Sequence, residues 1–149
     1  LASYICQMLL DESVEVNLKW PNDIFYGSKK LIGFLPRVIT RGNMILYIRV
    51  GIGMNLCNKS PQEGISLSEI IKKKKLDKNY WIAKLLKQIH YAANCNNESE
   101  DMIKNANKFL TKKYLPSGFH SGEWNIEEIN DKGKLILSSN KDKTIIKYI

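Results

Sequence analysis

The stretch that most constrains the fold is residues 14–55, where four extended runs follow one another and each of the first three ends in turn-forming residues. In the first run Val14, Val16, Leu18 and Trp20 share one face and Glu15, Asn17 and Lys19 the other, the signature of a half-buried strand. Pro21 stops it, because proline cannot donate to a ladder and disfavours helix at Trp20, and the chain should turn through Asn22 and Asp23. Residues 24–26, 30–39 and 44–54 are further extended runs, separated by Gly27-Ser28 and by Arg41-Gly42-Asn43. Together they read as an antiparallel meander. In the last run Met44, Leu46, Ile48, Val50, Ile52 and Met54 lie on one face. The opposite face carries Ile45, Tyr47, Arg49, Gly51, Gly53 and Asn55. Two glycines at i and i+2 weaken a strand unless something approaches the backbone. A bulge, a neighbouring helix or a ligand could each be the reason.

Helical spacing brackets this meander. Ala2, Ile5, Met8 and Leu9 make residues 1–10 an amphipathic helix, and the chain starts directly inside it, as a piece of something longer would. Asp77 is a candidate N-cap for a helix with Trp81, Leu85, Ile89 and Ala92 on one stripe. Ser99 is a candidate cap for another, which carries Met102, Ile103, Ala106, Phe109 and Leu110 inward. Both stripes read as core. Beyond Pro116, residues 123–129, 134–137 and 144–149 read as strands joined by 130–133 and 139–142. The expected class is therefore α+β: a mixed, mainly antiparallel sheet packed with helices over residues 1–116, and a small β appendage over 117–149. An appendage of that size is stable only when docked on the main domain.

Composition removes several function classes. Twenty-three Lys and Arg against fifteen Asp and Glu give the 149 residues a net charge of +8, which favours acidic or phosphorylated partners. The Lys72–Lys75 run has no interleaved aromatics and reads as a solvated face, not a nucleic-acid patch. Cys6, Cys57 and Cys95 are odd in number and far apart, and the two histidines, His90 and His120, stand at no ligand spacing. A disulfide framework and a structural zinc site are not expected. With no apolar run approaching a membrane span, the reading is a cytoplasmic protein of a reducing compartment, without nucleic-acid or membrane partners.

Chemistry-bearing residues concentrate in Lys19-Trp20-Pro21-Asn22-Asp23, in Lys30-Leu31-Ile32-Gly33 and in Gly51-Ile52-Gly53-Met54-Asn55. Antiparallel folding brings the three together. A cation, an amide and a carboxylate around a rigid proline turn suit a nucleotide, the carboxylate orienting a lysine or holding a divalent metal. Lys30 can meet a substrate carboxylate as a point charge, and the glycines let a flat ligand lie on the sheet. No nucleophile–base motif occurs, and Gly51-Ile52-Gly53 lacks the third glycine of a dinucleotide fingerprint. Electrostatic catalysis by lysine fits better than acid–base hydrolysis.

Lys-Trp-Pro-Asn-Asp-Ile, Lys-Lys-Leu-Ile-Gly and Val-Gly-Ile-Gly-Met-Asn resemble the central and later part of the biotin protein ligase catalytic domain. The resemblance is strong over residues 14–56 and weaker in the helices. It recurs in 130–149, which is similar to the family's C-terminal SH3-like module. It implies an incomplete class II synthetase-like biotin/lipoate ligase fold. The implied reaction joins biotin to ATP, with Mg2+, giving biotinyl-5′-AMP, and then moves biotin to a lysine of a biotin carboxyl carrier domain. Carried over by motif, the catalytic residues are Lys30, Lys19 and Asp23. Biotin falls to Lys30, Gly33, Gly51 and Gly53, and the nucleotide to Lys19, Trp20, Asn22, Asp23 and Asn55, with Asp23 the candidate magnesium ligand. Trp20 alternates with Val16 and Leu18, which favours a core position over a stacking one.

Some departures accompany the match. The family's upstream Gly-Arg-Gly-Arg-type loop is absent from the sequence, so activity is expected to need an N-terminal half, on the same natural chain or a separate one. Pro36-Arg37 stands where the family carries an acidic residue, and distortion is expected at the end of that strand. The sequence also stops before the last strand of the SH3-like module. A homodimer is left open, and no helix-turn-helix supports a repressor role. Two other readings remain: a noncatalytic nucleotide- or biotin-binding accessory subunit, and a lipoate-type ligase of the same superfamily, which usually lacks the Lys-Trp-Pro-Asn-Asp string.

Overall fold

A computed structural model describes residues 1–94, 99–139 and 143–146. In chain order the elements are α1 (Ala2–Asp11), β1 (Asn17–Lys19), β2 (Asp23–Tyr26), β3 (Lys29–Arg41), β4 (Met44–Met54), α2 (Leu67–Ile70), α3 (Lys78–Asn94), α4 (Ser99–Phe109), β5 (Trp124–Ile129), β6 (Leu135–Ser139) and β7 (Lys143–Ile146). Strands β1 to β4 form an antiparallel sheet in sequential order, and β5 to β7 form a second one. The meander and the C-terminal β unit are as the alternation and the turn residues predict. Gly27 and Gly42 carry the positive φ of the β2–β3 and β3–β4 turns, a conformation that costs residues with a Cβ.

One core joins both sheets. Ile5, Met8 and Leu9 of α1, Val14, Val16 and Leu18 at β1, Ile24, Leu31 and Ile32 of β2–β3, and Ile126, Ile129, Leu135 and Leu137 of the second sheet are buried in a single cluster. Asn107 of α4 fastens the two layers by copying a strand: its Nδ2 donates to Ile129 O at 2.8 Å and its Oδ1 accepts from Ile129 N at 2.7 Å. Cys6 belongs to this core, and burial pushes its thiol up to about 12, which makes it inert packing. Cys6 and Cys57 are free thiols, and Cys95 lies outside the described residues. No helix among the described residues is long and apolar enough to cross a membrane.

Several sequence expectations need correction. The run from Val14 is a hydrogen-bonded strand only over β1, although Val14, Val16 and Leu18 are buried in alternation as read. Helix α3 begins at the Asp77 cap, whose Oδ1 accepts from Asn79 N and Tyr80 N. Its stripe, however, leaves the core: Trp81 is buried, Leu85 half-buried and Ile89 exposed, because only the first turns of the helix lie over α1. Strand β7 ends at Ile146, and the rest of the expected strand, like the turn residues 140–142, lies outside the described residues.

Pro36 does not distort β3, which runs to Arg41 with its one irregularity against β4 at Ile39/Thr40. The reason is geometric. Phe34 N donates to Asn22 O, so the backbone nitrogens of Phe34 and Pro36, two residues apart, point to the β2 edge. Strand β2 ends opposite Gly33, so proline sacrifices no ladder bond there.

Beyond its capped start, α3 is anchored to the C-terminal end of α1 by polar contacts. Lys84 Nζ and Tyr80 OH both donate to Glu12 Oε1. The bond from Lys84, then that from Tyr80, holds the Glu12 carboxyl below its usual value of 4.5. A depressed carboxylate stabilises the fold above its unfolded pKa and stops doing so as pH falls through the folded one. Glu12→Gln is therefore expected to lower the unfolding free energy by about 0.5–1 kcal/mol at neutral pH. In urea titrations the gap between variant and parent should close below pH 4.5; a constant gap would exclude the charge as its origin.

Candidate functional site

The site begins with an irregularity in β3. Phe25 pairs with Lys30, but Ile24 pairs with Ile32, so Leu31 is an extra residue and the register slips at that point. Strict alternation would bury one of two adjacent side chains, yet Leu31 and Ile32 are both fully buried. Lys30 is carried across the strand toward Gly33. A Cβ on Gly33 would lie 2.7 Å from Lys30 Cε and 2.8 Å from Nζ, so only glycine leaves room for the lysine to lie over it. There Lys30 Nζ reaches Asp23 Oδ1 at 2.6 Å, with the carboxylate mostly buried and the ammonium about half exposed.

A second element, missed by the sequence reading, fixes the backbone of Lys30. Residues 55–66 double back as a strap in which Lys30 N donates to Glu63 O at 2.9 Å and Ile65 N donates to Lys30 O at 3.0 Å. Asn55 Nδ2 adds a bond to the same carbonyl at 3.3 Å, and Asn58 Nδ2 donates to Asn55 Oδ1 at 3.1 Å. The strap ends in a capping box, where Ser66 Oγ and Ser66 N both donate to Glu69 and hold its carboxyl below the usual range. Ser66 and Glu69 stand three apart in the sequence, and that spacing is the signal that could have revealed the strap's end.

Between strap and sheet opens a cleft of about 1240 Å³, lined among others by Lys19, Asn22, Asp23, Lys30, Gly33, Gly53 and Asn55. Seven residues singled out from sequence thus meet in one place. Two others do not line it. Gly51 lies further out on β4, paired with Leu35. Trp20 is half-buried against the core, as its alternation suggested, and its Nε1 donates to Gly133 O of the β5–β6 turn at 3.1 Å. Asn22 gives its amide to Phe34 O at 2.7 Å, which locks the Pro21 turn onto β3. Among the described residues no group of three His, Cys, Asp or Glu could hold a metal ion.

The arrangement combines one acid-paired lysine, two further lysines, a bare glycine floor and a half-apolar wall, a composition suited to a ligand that carries both an anionic group and a flat ring. Residues 5–55, which contain most of this lining, match the family model described as the Biotin/lipoate A/B protein ligase family. That match covers about a third of the chain. Its fold is that of biotin protein ligases. The apo biotin protein ligase of Aquifex aeolicus superposes with a TM-score of 0.77 at 22% identity, over 97% of this chain and 67% of that one. The same enzyme in complex with biotin and ATP gives 0.75 at 22% identity, over 97% and 64%. The Leishmania major enzyme in complex with biotin gives 0.53 at 20% identity, over 98% and 66%. The chain thus spans about two thirds of the length of these ligases.

The geometry makes Gly33 the permissive residue of the pair. Because the atoms it would touch are the far end of a flexible side chain, Gly33→Ala should change the unfolding free energy by less than about 0.5 kcal/mol. A crystal structure of the variant should show Lys30 Nζ moved out of ion-pair range of Asp23. An undisturbed pair would mean that glycine is not required there.

Proposed function

We propose that this chain supplies the main part of a biotin protein ligase site. The reaction joins biotin to ATP, releases pyrophosphate, and transfers biotin from biotinyl-5′-AMP to a lysine of a biotin carboxyl carrier domain. The observation that carries this reading is Lys30, bent over Gly33 onto Asp23 at the floor of the cleft. The Aquifex aeolicus ligase that shares the fold has been seen in complex with biotin and ATP, which supports the choice of substrates.

In this reading Lys30 receives the biotin carboxylate and stabilises the charge that builds on its oxygens as the acyl phosphate forms. Gly33 and Gly53 let the ligand lie against the sheet, and Gly51 extends that floor along β4. Lys19 meets the phosphates, Asn22 and Asn55 border the nucleotide, and Trp20 supports the turn from behind. Asp23 holds Lys30 in place and is the candidate carboxylate to orient an incoming lysine. Magnesium belongs to the nucleotide substrate, Mg·ATP, since Asp23 is already paired with Lys30 and no cluster of three metal-ligating side chains occurs among the described residues.

The outer halves of β3 and β4 support the need for a further polypeptide. Leu35 is 75% exposed, Met44 66% and Ile48 58%, with Ile45, Leu46 and Val38 also open to solvent. Such an apolar surface on a two-stranded ribbon is stable when covered. In the proposed enzyme an N-terminal ligase half, on the same natural chain or a separate one, packs there. Arg37 and Arg49, directly opposite each other on this ribbon, add positive charge suited to an acidic carrier surface. The free thiols Cys6 and Cys57 agree with a cytoplasmic setting.

The test is biotinyl-5′-AMP formation from biotin and ATP, followed by mass spectrometry of product and pyrophosphate release. Adenylate should form once the N-terminal half is present, and Lys30→Ala should reduce its rate about a hundredfold, as expected for loss of about 3 kcal/mol of oxyanion stabilisation. Unchanged activity of that variant would remove Lys30 from the mechanism. Binding of biotin and ATP without adenylate in the complete assembly would favour the accessory-subunit reading. Preference for lipoate would favour the lipoate-type one.

A further inference from the structure

Lys19 is held unlike Lys30, although both, with Lys29, line the cleft. Its cross-strand partner in the β1–β2 hairpin is Asp23, but that carboxylate pairs with Lys30. Lys19 Nζ instead stands 5.0 Å from the centroid of the Phe25 ring and 5.4 Å from that of Tyr114. The two rings touch each other, with centroids 5.3 Å apart and planes inclined by 50°. They form a corner open on the cleft side, where Lys19 and Phe25 both line the wall. Tyr114 is placed by the chain around it: Thr111 N donates to Leu18 O at 2.9 Å, which sets the segment after α4 alongside β1, and Tyr114 OH reaches Gly27 O at 3.5 Å.

An aromatic corner and a carboxylate fix an ammonium group with opposite consequences. A carboxylate offsets part of its charge, as Asp23 does for Lys30, whose ammonium stays about half exposed. Ring faces attract the cation through their quadrupoles and leave its full charge available on the open side. Among the described residues no carboxylate lies within ion-pair distance of Lys19. Of the three lysines that line the cleft, Lys30 is thus paired with an acid and Lys19 is aimed by aromatics.

We propose that Tyr114 is a positioning residue: with Phe25 it holds the Lys19 ammonium at the cleft wall, un-neutralised, to receive the phosphate chain of the nucleotide. The proposal rests on the nucleotide reading of this cleft and adds to it a residue from outside the family-matched segment. It also gives the linker between α4 and β5 a part in binding.

The experiment uses the full chain with reductively 13C-methylated lysines, the Lys19 resonance being assigned with Lys19→Arg. In the parent, ring currents should shift the Lys19 methyl signal upfield, and ATP or inorganic tripolyphosphate should move it further. Tyr114→Leu should reduce the ring-current shift to what Phe25 alone gives and weaken both ligands about three- to tenfold in calorimetry, while Tyr114→Phe, which keeps the ring, restores both. In a Lys19→Met background, Tyr114→Leu should have no additional effect. Tyr114→Met serves as a second variant if leucine melts at a lower temperature than the parent. A parent lysine signal without ring-current shift, a Phe variant as weak as Leu, or an undiminished loss in the Lys19→Met background would each overturn the positioning role. A shifted Lys19 signal that responds to neither ATP nor tripolyphosphate would instead overturn the nucleotide reading, and the role of Lys19 with it.

Discussion

The hydrogen bonds on the backbone of Lys30 hold the site together. Its N–H is taken by Glu63 and its carbonyl by Ile65 and Asn55, so the residue is fixed on the side away from β2 by the strap of residues 55–66. On the other side, the register slip around Leu31 seats two consecutive apolar residues in the core. With the main chain clamped between strap and core, a long flexible side chain has one short path left, over Gly33 to Asp23. Preorganisation of this kind spares a site the entropy of ordering a lysine each time a ligand arrives.

The same economy governs the Pro21 turn. Asn22 is bonded to Phe34 through both its backbone carbonyl and its side-chain amide, and Trp20 to Gly133 of the second sheet. Leu18 is bonded to Thr111 and Lys19 lies against Tyr114. The C-terminal segment therefore touches consecutive residues of the Lys-Trp-Pro-Asn-Asp string. Its docking through Asn107 and the shared core makes the small sheet a support for the cleft.

Much of this was legible from residue patterns. Period-two alternation and the turn residues located the four-stranded meander, because a one-face core forces that alternation. The convergence of Asp23, Lys30, Gly33, Gly53 and Asn55 followed from antiparallel pairing alone. What escaped the sequence depends on contacts at long separation. The strap over Lys30 has the composition of an ordinary surface loop, and Tyr114 stands in a linker with no periodicity to mark it. Similarly, the stripe of α3 is as regular as that of α4, yet among the described residues its later member Ile89 is left exposed.

The sequence by itself determined the strand order of the first sheet, the turns, and the set of residue types at the cleft, since these follow from local sterics and the two-residue period of a strand. Only the tertiary structure decided which carboxylate meets which lysine. Lys19 faces Asp23 across the hairpin, and nearest-neighbour reasoning pairs them. The slip at Leu31 and the missing Cβ of Gly33 give Asp23 to Lys30 instead, and the rings of Phe25 and Tyr114, 89 positions apart in the chain, take Lys19. Such an exchange of partners is set by packing in three dimensions, which no pattern along the chain encodes.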